Sequence, residues 1–276
     1  MSIPDSVILL TLLAGLALAI GSFINVVIYR LPRIMREEWL TEYQQWSNNL
    51  PLQSTTTQAP LSLAFPRSFC PHCKASIPFY HNIPILSYLI LRGRCAACKH
   101  TIPWEYPLIE AISCVLAILV YSLWGISLTT LFGLLFVWWI IPLIVIDLKH
   151  QILPDSLTVS LLWLGLLANT QQIFTPLTDA VYGAIAGYLS LWCFIQLYYL
   201  LTKKIGMGHG DFKLFAAMGA WFGWTSLPVM LFIASCCGLI YGIAFLRMTH
   251  QSKDTPIPFG PFLGIAGFIY LLKWAM

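Results

Sequence analysis

The chain has 276 residues, 58% of them hydrophobic and only 9% charged, whereas soluble domains carry about a quarter charged residues. That composition excludes an ordinary soluble enzyme. The net charge of +4 traces to where the basic residues cluster and makes no case for a nucleic-acid partner.

Uncharged runs cover residues 6–29, 111–146, 156–178, 180–202, 214–246 and 255–272. A helix needs ~20 mostly apolar residues to cross ~30 Å of hydrocarbon, and the runs 111–146 and 214–246 are each long enough for two short spans. The expected fold is therefore an all-α polytopic membrane protein of about eight transmembrane helices. Met1 to Asp5 carries an acid and no Lys or Arg, unlike the start of a secretory signal, so segment one is expected to be retained. With the N-terminus outside, loops 30–106, 147–155, 202–213 and 247–258 face the cytosol and hold every Lys and Arg except Lys273. The opposite orientation violates the positive-inside rule.

Segment one, 6–29, places Gly21, Ser22 and Asn25 on one face. Such a stripe suits close helix packing with an interhelical hydrogen bond, or an Asn25 that faces a wet cavity. The region 30–106 is the one sizeable polar stretch. An amphipathic helix is expected around 34–46, lying on the membrane, followed by a loop through the polar tract Gln53 to Gln58. Then come two CxxC knuckles, Cys70-Pro71-His72-Cys73 and Cys95-Ala96-Ala97-Cys98, with 21 residues between them. Four thiolates in two such pairs can close a tetrahedral zinc site, which makes this region a cytosolic zinc-binding domain between helices 1 and 2. Disulfide exchange is the other use of CxxC, disfavoured by a reducing cytosol. Cys114, Cys193, Cys236 and Cys237 lie in apolar runs and are expected only to pack. The run 83–91 is apolar enough to dip into the interface and too short to span. Pro107 suits the first turn of segment two, which puts Glu110 in that turn, where the helix dipole favours an acid.

Segment three ends at Asp147. A helix C-terminus disfavours an anion, so an acid there invites a functional reading. Asp155 follows Pro154 and precedes a fresh apolar run, an ordinary N-cap position. Segments four and six look short, which thins the bilayer or admits water at their ends. Segment five carries Gly183 and Gly187, a small-residue packing face. The stretch 206–213, Gly206-Met207-Gly208-His209-Gly210-Asp211-Phe212-Lys213, brings a second acid to the same membrane edge as Asp147. Two carboxylates in a low-dielectric site cannot both ionise freely, so one can act as acid and the other as base toward a peptide bond. His150 and His209 lie near the acids without a third ligand at metal spacing and are expected to be polar neighbours. Asp211 as a mere helix N-cap stays open on these grounds. So does a transporter that couples ions to intramembrane acids, although transporter sites lie near the midplane and often within inverted repeats.

The segments GSFINVVIYRLP, CPHC, HNIPILSYLILRGRC, CAAC, YPLIE, IDLKHQILPD, GMGHGDFKLFAAMGAWFG and IPFGPFL follow one another in this order. Together they resemble the bacterial type IV prepilin peptidases, GxGD aspartyl proteases of peptidase family A24 that also act as N-methyltransferases. The likeness spans most of the chain, thins over 33–65 and 169–200, and departs at His209, where members commonly have Tyr. It implies Asp147 and Asp211 as the catalytic pair, Asp155 as non-catalytic, and Cys70, Cys73, Cys95 and Cys98 as structural zinc ligands. It implies a transmembrane helix 1 over 1–29, a zinc-binding domain over 30–106 involved in methyl transfer, and a peptidase domain over 107–276. The implied reaction removes the leader of a prepilin or secretion pseudopilin after Gly at the cytosolic face of the inner membrane. Methylation of the new N-terminus by S-adenosylmethionine follows. No GxGxxG site for that donor is readable; the loop at Gly93 with Glu105 or Glu110 is the expected region. The implied partners are prepilins and the lipid bilayer.

Overall fold

The computed structural model describes residues 3–48, 61–204, 206–249 and 257–274. The polar tract 53–58 lies outside them. Nine α-helices are formed among the described residues: α1 (Ile3–Asn48), α2 (Leu86–Ile90), α3 (Glu105–Trp124), α4 (Leu128–His150), α5 (Asp155–Thr170), α6 (Leu177–Thr202), α7 (His209–Phe222), α8 (Leu227–Thr249) and α9 (Gly260–Trp274). Extended structure in the described residues is limited to two isolated bridges, Phe69 with Ser76 and Arg94 with Thr101. Helices α1, α3, α4, α6 and α8 are long and apolar enough to cross a membrane. Helices α5, α7 and α9 have 16, 14 and 15 residues, or roughly 21–24 Å at 1.5 Å per residue, short of a full crossing. Of the expected eight, five are thus full-length candidates, α9 is a shorter apolar helix, and α5 and α7 are short helices.

The chain forms two compact units, residues 1–119 and 120–276. In the first, the expected amphipathic helix over 34–46 is not a separate element. It continues α1, which runs through Pro32. A proline inside a helix removes one backbone hydrogen bond, and here contacts on either side hold the turn. The Arg33 guanidinium lies 3.7 Å from the centre of the Tyr29 ring and donates to its hydroxyl. The Arg30 side chain is buried and donates to the carbonyls of Ser62 (2.8 Å) and Pro66 (2.7 Å), tying the following strap to the helix. Helices α1 and α3 meet at Gly21, where an added Cβ would lie 2.8 Å from Glu110 Cα, and the Ser113 hydroxyl donates to the Ala17 carbonyl at 2.8 Å. The small-residue stripe of segment one therefore does pack helices.

The second unit is built around α7. From Phe212 to Phe222 every residue except Lys213 is buried, so this helix is apolar on all sides. Helices α5 and α6 flank it. Trp221 donates its indole N–H to the Leu161 carbonyl at 2.8 Å. The buried Asn169 amide donates to the carbonyls of Ala220 (2.8 Å) and Trp221 (2.9 Å) and accepts from the N–H groups of Phe174 and Thr175. The far end of α7 closes at Gly223, whose φ of +79° favours glycine, and an added Cβ there would sit 2.9 Å from Thr175 Oγ1. Segment six therefore stops at Phe222.

Gly183 of α6 lies directly on the backbone of Gly219 of α7, and an added Cβ at either would collide with the other's carbonyl oxygen. One turn on, a Cβ at Gly187 would be 2.7 Å from the Phe215 carbonyl. Backbones can approach this closely only where side chains are absent. Gly183→Ala is expected to push α7 off α6 at no less than the ~1–3 kcal/mol of an overpacked core. A thermal melt in detergent should show a lowered midpoint, and an unchanged midpoint would refute the contact.

Candidate functional site

Asp147 lies in the last turn of α4 and is buried. The chain leaves the helix through Gln151, in the left-handed region, whose N–H donates to the Asp147 carbonyl at 2.9 Å. The carboxylate accepts a hydrogen bond at Oδ2 from the Gly260 N–H, 3.0 Å away. Gly260 opens α9, so the positive end of that helix faces the acid and offsets the unfavourable end of α4. A Cβ on residue 260 would stand 2.7 Å from the same oxygen, so only glycine brings the N–H this near.

Asp211 sits in the first turn of α7, its N–H donating to the Gly208 carbonyl at 3.3 Å. Its Oδ1 is buried and forms no hydrogen bond among the described residues. The charge of Asp147 acts on it, so the two acids share one site in the second unit. Leu153 is the spacer between their elements: Cβ atoms added at Gly210 and Gly260 would lie 2.7 and 3.2 Å from its side chain. Gly210 therefore serves helix packing. Gly208, in extended backbone at φ −78°, is the glycine beside the carboxylate, with Asp211 Oδ2 3.8 Å from an added Cβ.

Asp155 is not an N-cap. Pro154 holds that place without a side-chain bond, and Asp155 is the first helical residue of α5. Both its oxygens lie 2.6 Å from Lys213 Nζ, in a largely exposed pair. His150 and His209 are exposed, and the His209 ring meets Phe212 edge-on.

In the first unit the four Sγ atoms of Cys70, Cys73, Cys95 and Cys98 lie within 4.8 Å of one another, with Cys70 and Cys98 at 3.9 Å. A tetrahedral zinc with ~2.3 Å bonds separates its sulfurs by about 3.8 Å, so the cluster fits such an ion. The two knuckles repeat one another. Cys70 and Cys95 N–H groups donate to Ala75 and His100 carbonyls, Lys74 and Lys99 N–H groups return to Cys70 and Cys95, and Ile77 and Ile102 pair with Ser68 and Gly93. Lys74 and Lys99 both have positive φ, and His72 stacks on His100 at 4.4 Å. The sequence carries this repeat as C-x-x-C-K-x-S/T-I-P at 70–78 and 95–103. The Cys98 and Ala97 N–H groups push the Cys95 thiol down to about 6. At Cys98 the His100 N–H pulls the same way, but desolvation and the sulfurs of Cys73, Cys95 and Cys70 push it up to about 11. Four sulfurs packed this tightly cannot all ionise without a cation among them.

A cavity of about 640 Å³ opens between α1, α3 and the cysteine module. Asn25 lines it while donating to the Tyr106 carbonyl at 3.0 Å, so it makes the expected interhelical bond at the edge of a cavity. Glu110 lines it as well. Helix α3 begins at Glu105, so Glu110 lies beyond the first turn. It is buried, accepts from the Ile85 N–H at 2.7 Å and bonds the Ser22 hydroxyl. Ile85 has φ +58° and ψ −48°, with Leu86 N–H returning to the Pro84 carbonyl at 2.5 Å. This is a γ-turn of the strained hand, and on a β-branched residue it costs about 1–3 kcal/mol. Neither Gly93 nor Glu105 lines the cavity. Gly93, at φ +66°, packs on the Tyr88 ring instead.

Residues 15–124 match the bacterial peptidase A24 N-terminal domain and residues 134–243 the type IV leader peptidase family. A Legionella pneumophila protein named prepilin leader peptidase/N-methyltransferase is 50% identical over 94% of this chain and 89% of its own length. Proteins of that name from Pseudomonas aeruginosa (45% identical, 98% and 91%) and Neisseria gonorrhoeae (46%, 94% and 88%) are similar throughout as well. The chain belongs to the prepilin leader peptidase/N-methyltransferase family. The two family segments separate the features above: cysteine cluster, cavity and Glu110 lie in the A24 N-terminal domain, Asp147 and Asp211 in the leader peptidase domain. No solved structure matches the chain significantly.

Proposed function

We propose that this protein removes the leader of type IV prepilins and secretion pseudopilins after Gly and then N-methylates the exposed residue. The observation that carries this reading is the acid pair: a buried Asp147 fixed by Gly260 N–H, beside an Asp211 whose Oδ1 has no hydrogen-bond partner among the described residues. In this reading the pair holds one proton. Its charged member takes a proton from the attacking water while the neutral member protonates the amide carbonyl, and titration belongs to the pair. Gly208 lets an extended substrate backbone pass close to Asp211.

With α5, α7 and α9 counted as short spans, the chain crosses the inner membrane eight times with its N-terminus outside. Every Lys and Arg but Lys273 then faces the cytosol, as the positive-inside rule requires, and so do both acids. A prepilin is a basic leader on an apolar helix, and the same rule puts its scissile bond at that edge. Structural zinc is held by Cys70, Cys73, Cys95 and Cys98. Methyl transfer is assigned to the α1–α3 cavity, with Glu110 in its wall. S-adenosylmethionine supplies an electrophilic methyl group there, and the protein orients the amine and excludes water. Gly93 supports the wall through Tyr88, and Glu105 opens the helix that carries Glu110.

The test is reconstitution in liposomes with a prepilin and S-adenosylmethionine, read by mass spectrometry. Loss of the leader followed by a gain of 14 Da, about one methyl replacing one hydrogen, is the expected result. An intact substrate after prolonged incubation with folded protein would overturn the proposal.

A further inference from the structure

Burying a carboxylate without a paired cation is unfavourable, so such a group in a cavity wall is a candidate for function. Glu110 is 8% exposed and lines the α1–α3 cavity. Its partners among the described residues are the Ile85 N–H and the Ser22 hydroxyl, and no cation pairs with it there. The strained turn at Ile85 aims that N–H at this group, so the fold spends conformational strain on fixing one carboxylate oxygen. Strain of this kind clusters where geometry serves function. The neighbouring wall is apolar at Val26, Ile85, Leu91 and Ile102, which suits an apolar first residue. Of the ionisable groups on that wall, α1 supplies Tyr29 and Arg30, α2 supplies Tyr88 and α3 supplies Tyr106. The cysteine module supplies His72, His81 and His100, with Cys70 and Cys95 of the sulfur cluster. Arg30 is turned to the carbonyls of the 62–66 strap, so Glu110 is the carboxylate of the cavity wall.

We propose that Glu110, held by the Ile85 turn, receives the ammonium group of the newly exposed N-terminal residue and takes its proton for methyl transfer. This rests on the assignment of methyl transfer to the cavity. An ammonium has no lone pair to attack with. One N–H proton passes to a Glu110 carboxylate oxygen. The freed nitrogen lone pair forms the N–C bond as the donor's C–S bond breaks, and that electron pair stays on sulfur and discharges the sulfonium. The product leaves as a methylated ammonium, and Glu110 returns its proton to solvent. The buried carboxylate thus lets methylation proceed at pH values where a free α-amine, with pKa ~7.7–8.0, is almost wholly protonated.

The experiment uses full-length Glu110→Gln and Glu110→Asp with a pre-cleaved pilin peptide, and follows methylation from pH 6 to 9. Leader cleavage and S-adenosylmethionine binding by calorimetry report folding and donor binding. At pH 6 only about 1% of a free amine is unprotonated, and at pH 9 more than ~90%. Glu110→Gln is expected to methylate roughly 100-fold more slowly than the parent at pH 6 and to approach it at pH 9. Its donor affinity is expected to stay within about threefold and its cleavage within about twofold. Glu110→Asp keeps a base and is expected to restore the parent's shallow pH profile at lower kcat. A Glu110→Gln protein with the parent's profile would overturn the proposal. So would one that loses donor binding, since the carboxylate would then serve the donor. A parent protein that neither binds the donor nor methylates would remove the cavity assignment itself, and the inference with it.

Discussion

Asp147→Asn and Asp211→Asn are each expected to lower leader cleavage by at least ~10³-fold while leaving methylation of a pre-cleaved pilin intact. General acid and general base steps contribute about 10²–10⁴-fold apiece, and residues that act as a unit fail together. The double variant is therefore expected to be no worse than either single one. Asparagine is nearly isosteric at both positions. At 147 its amide oxygen can still accept from the Gly260 N–H, so the start of α9 stays anchored and the loss reports chemistry. Asp155→Asn is the control. Its pairing with Lys213 is largely exposed, and such pairs contribute about 0–1 kcal/mol, so cleavage is expected to stay within about twofold. Cleavage above about a tenth of parental rate in either dyad variant would end the assignment of the acid pair.

What was legible in the sequence was what is chemically rare in an apolar chain. Carboxylates at helix ends and paired cysteines stand out against 58% hydrophobic residues, and the positions of Asp147, Asp211 and the four sulfurs were readable for that reason. Their supports were not. Gly260 is 113 positions from Asp147 and acts through a backbone N–H, a group every residue but proline carries. Glu110 was misplaced because Pro107 marked the helix start. The helix begins at Glu105, and a proline two positions in still lacks only an N–H that the first turn leaves unbonded. Gly206, Gly208 and Gly210 read alike, yet only the folded chain separates packing against Tyr198 and Leu153 from openness beside Asp211. The knuckle repeat was present in the letters and shows only when 70–78 is laid over 95–103. Span counting by hydropathy located eight segments, of which five form helices long and apolar enough to cross a membrane, while α5, α7 and α9 have only 16, 14 and 15 residues.

Stripping the proposed zinc is expected to lower methyl transfer at least ~10-fold by unfolding the cysteine module. The described module, 61–104, is roughly forty residues long, near the size below which a metal or disulfides are needed to hold a fold. Its extended structure among the described residues amounts to two single bridges, and of its four cysteines only Cys70 is buried. There is little apolar burial to keep the knuckles together, whereas a structural zinc contributes about 10–16 kcal/mol of apparent binding energy in small modules. Both knuckles and the Ile85 turn line the α1–α3 cavity, so loosening the module loosens the wall around Glu110. Cys73→Ser or Cys98→Ser, or prolonged exposure to a strong chelator, is expected to release close to one zinc per chain by mass spectrometry. The same treatments should open 61–104 to limited proteolysis and reduce methylation at least tenfold, with partial recovery when zinc is restored to the chelated parent. The thiol-exchange alternative inverts these results: activity would survive chelation and fall with dithiothreitol, because its sulfurs would have to cycle through a disulfide. Cys95, whose thiol is pushed down by the Cys98 and Ala97 N–H groups, suits either chemistry alone. The tetrad favours the metal, since a redox pair needs two sulfurs and here four lie within 4.8 Å.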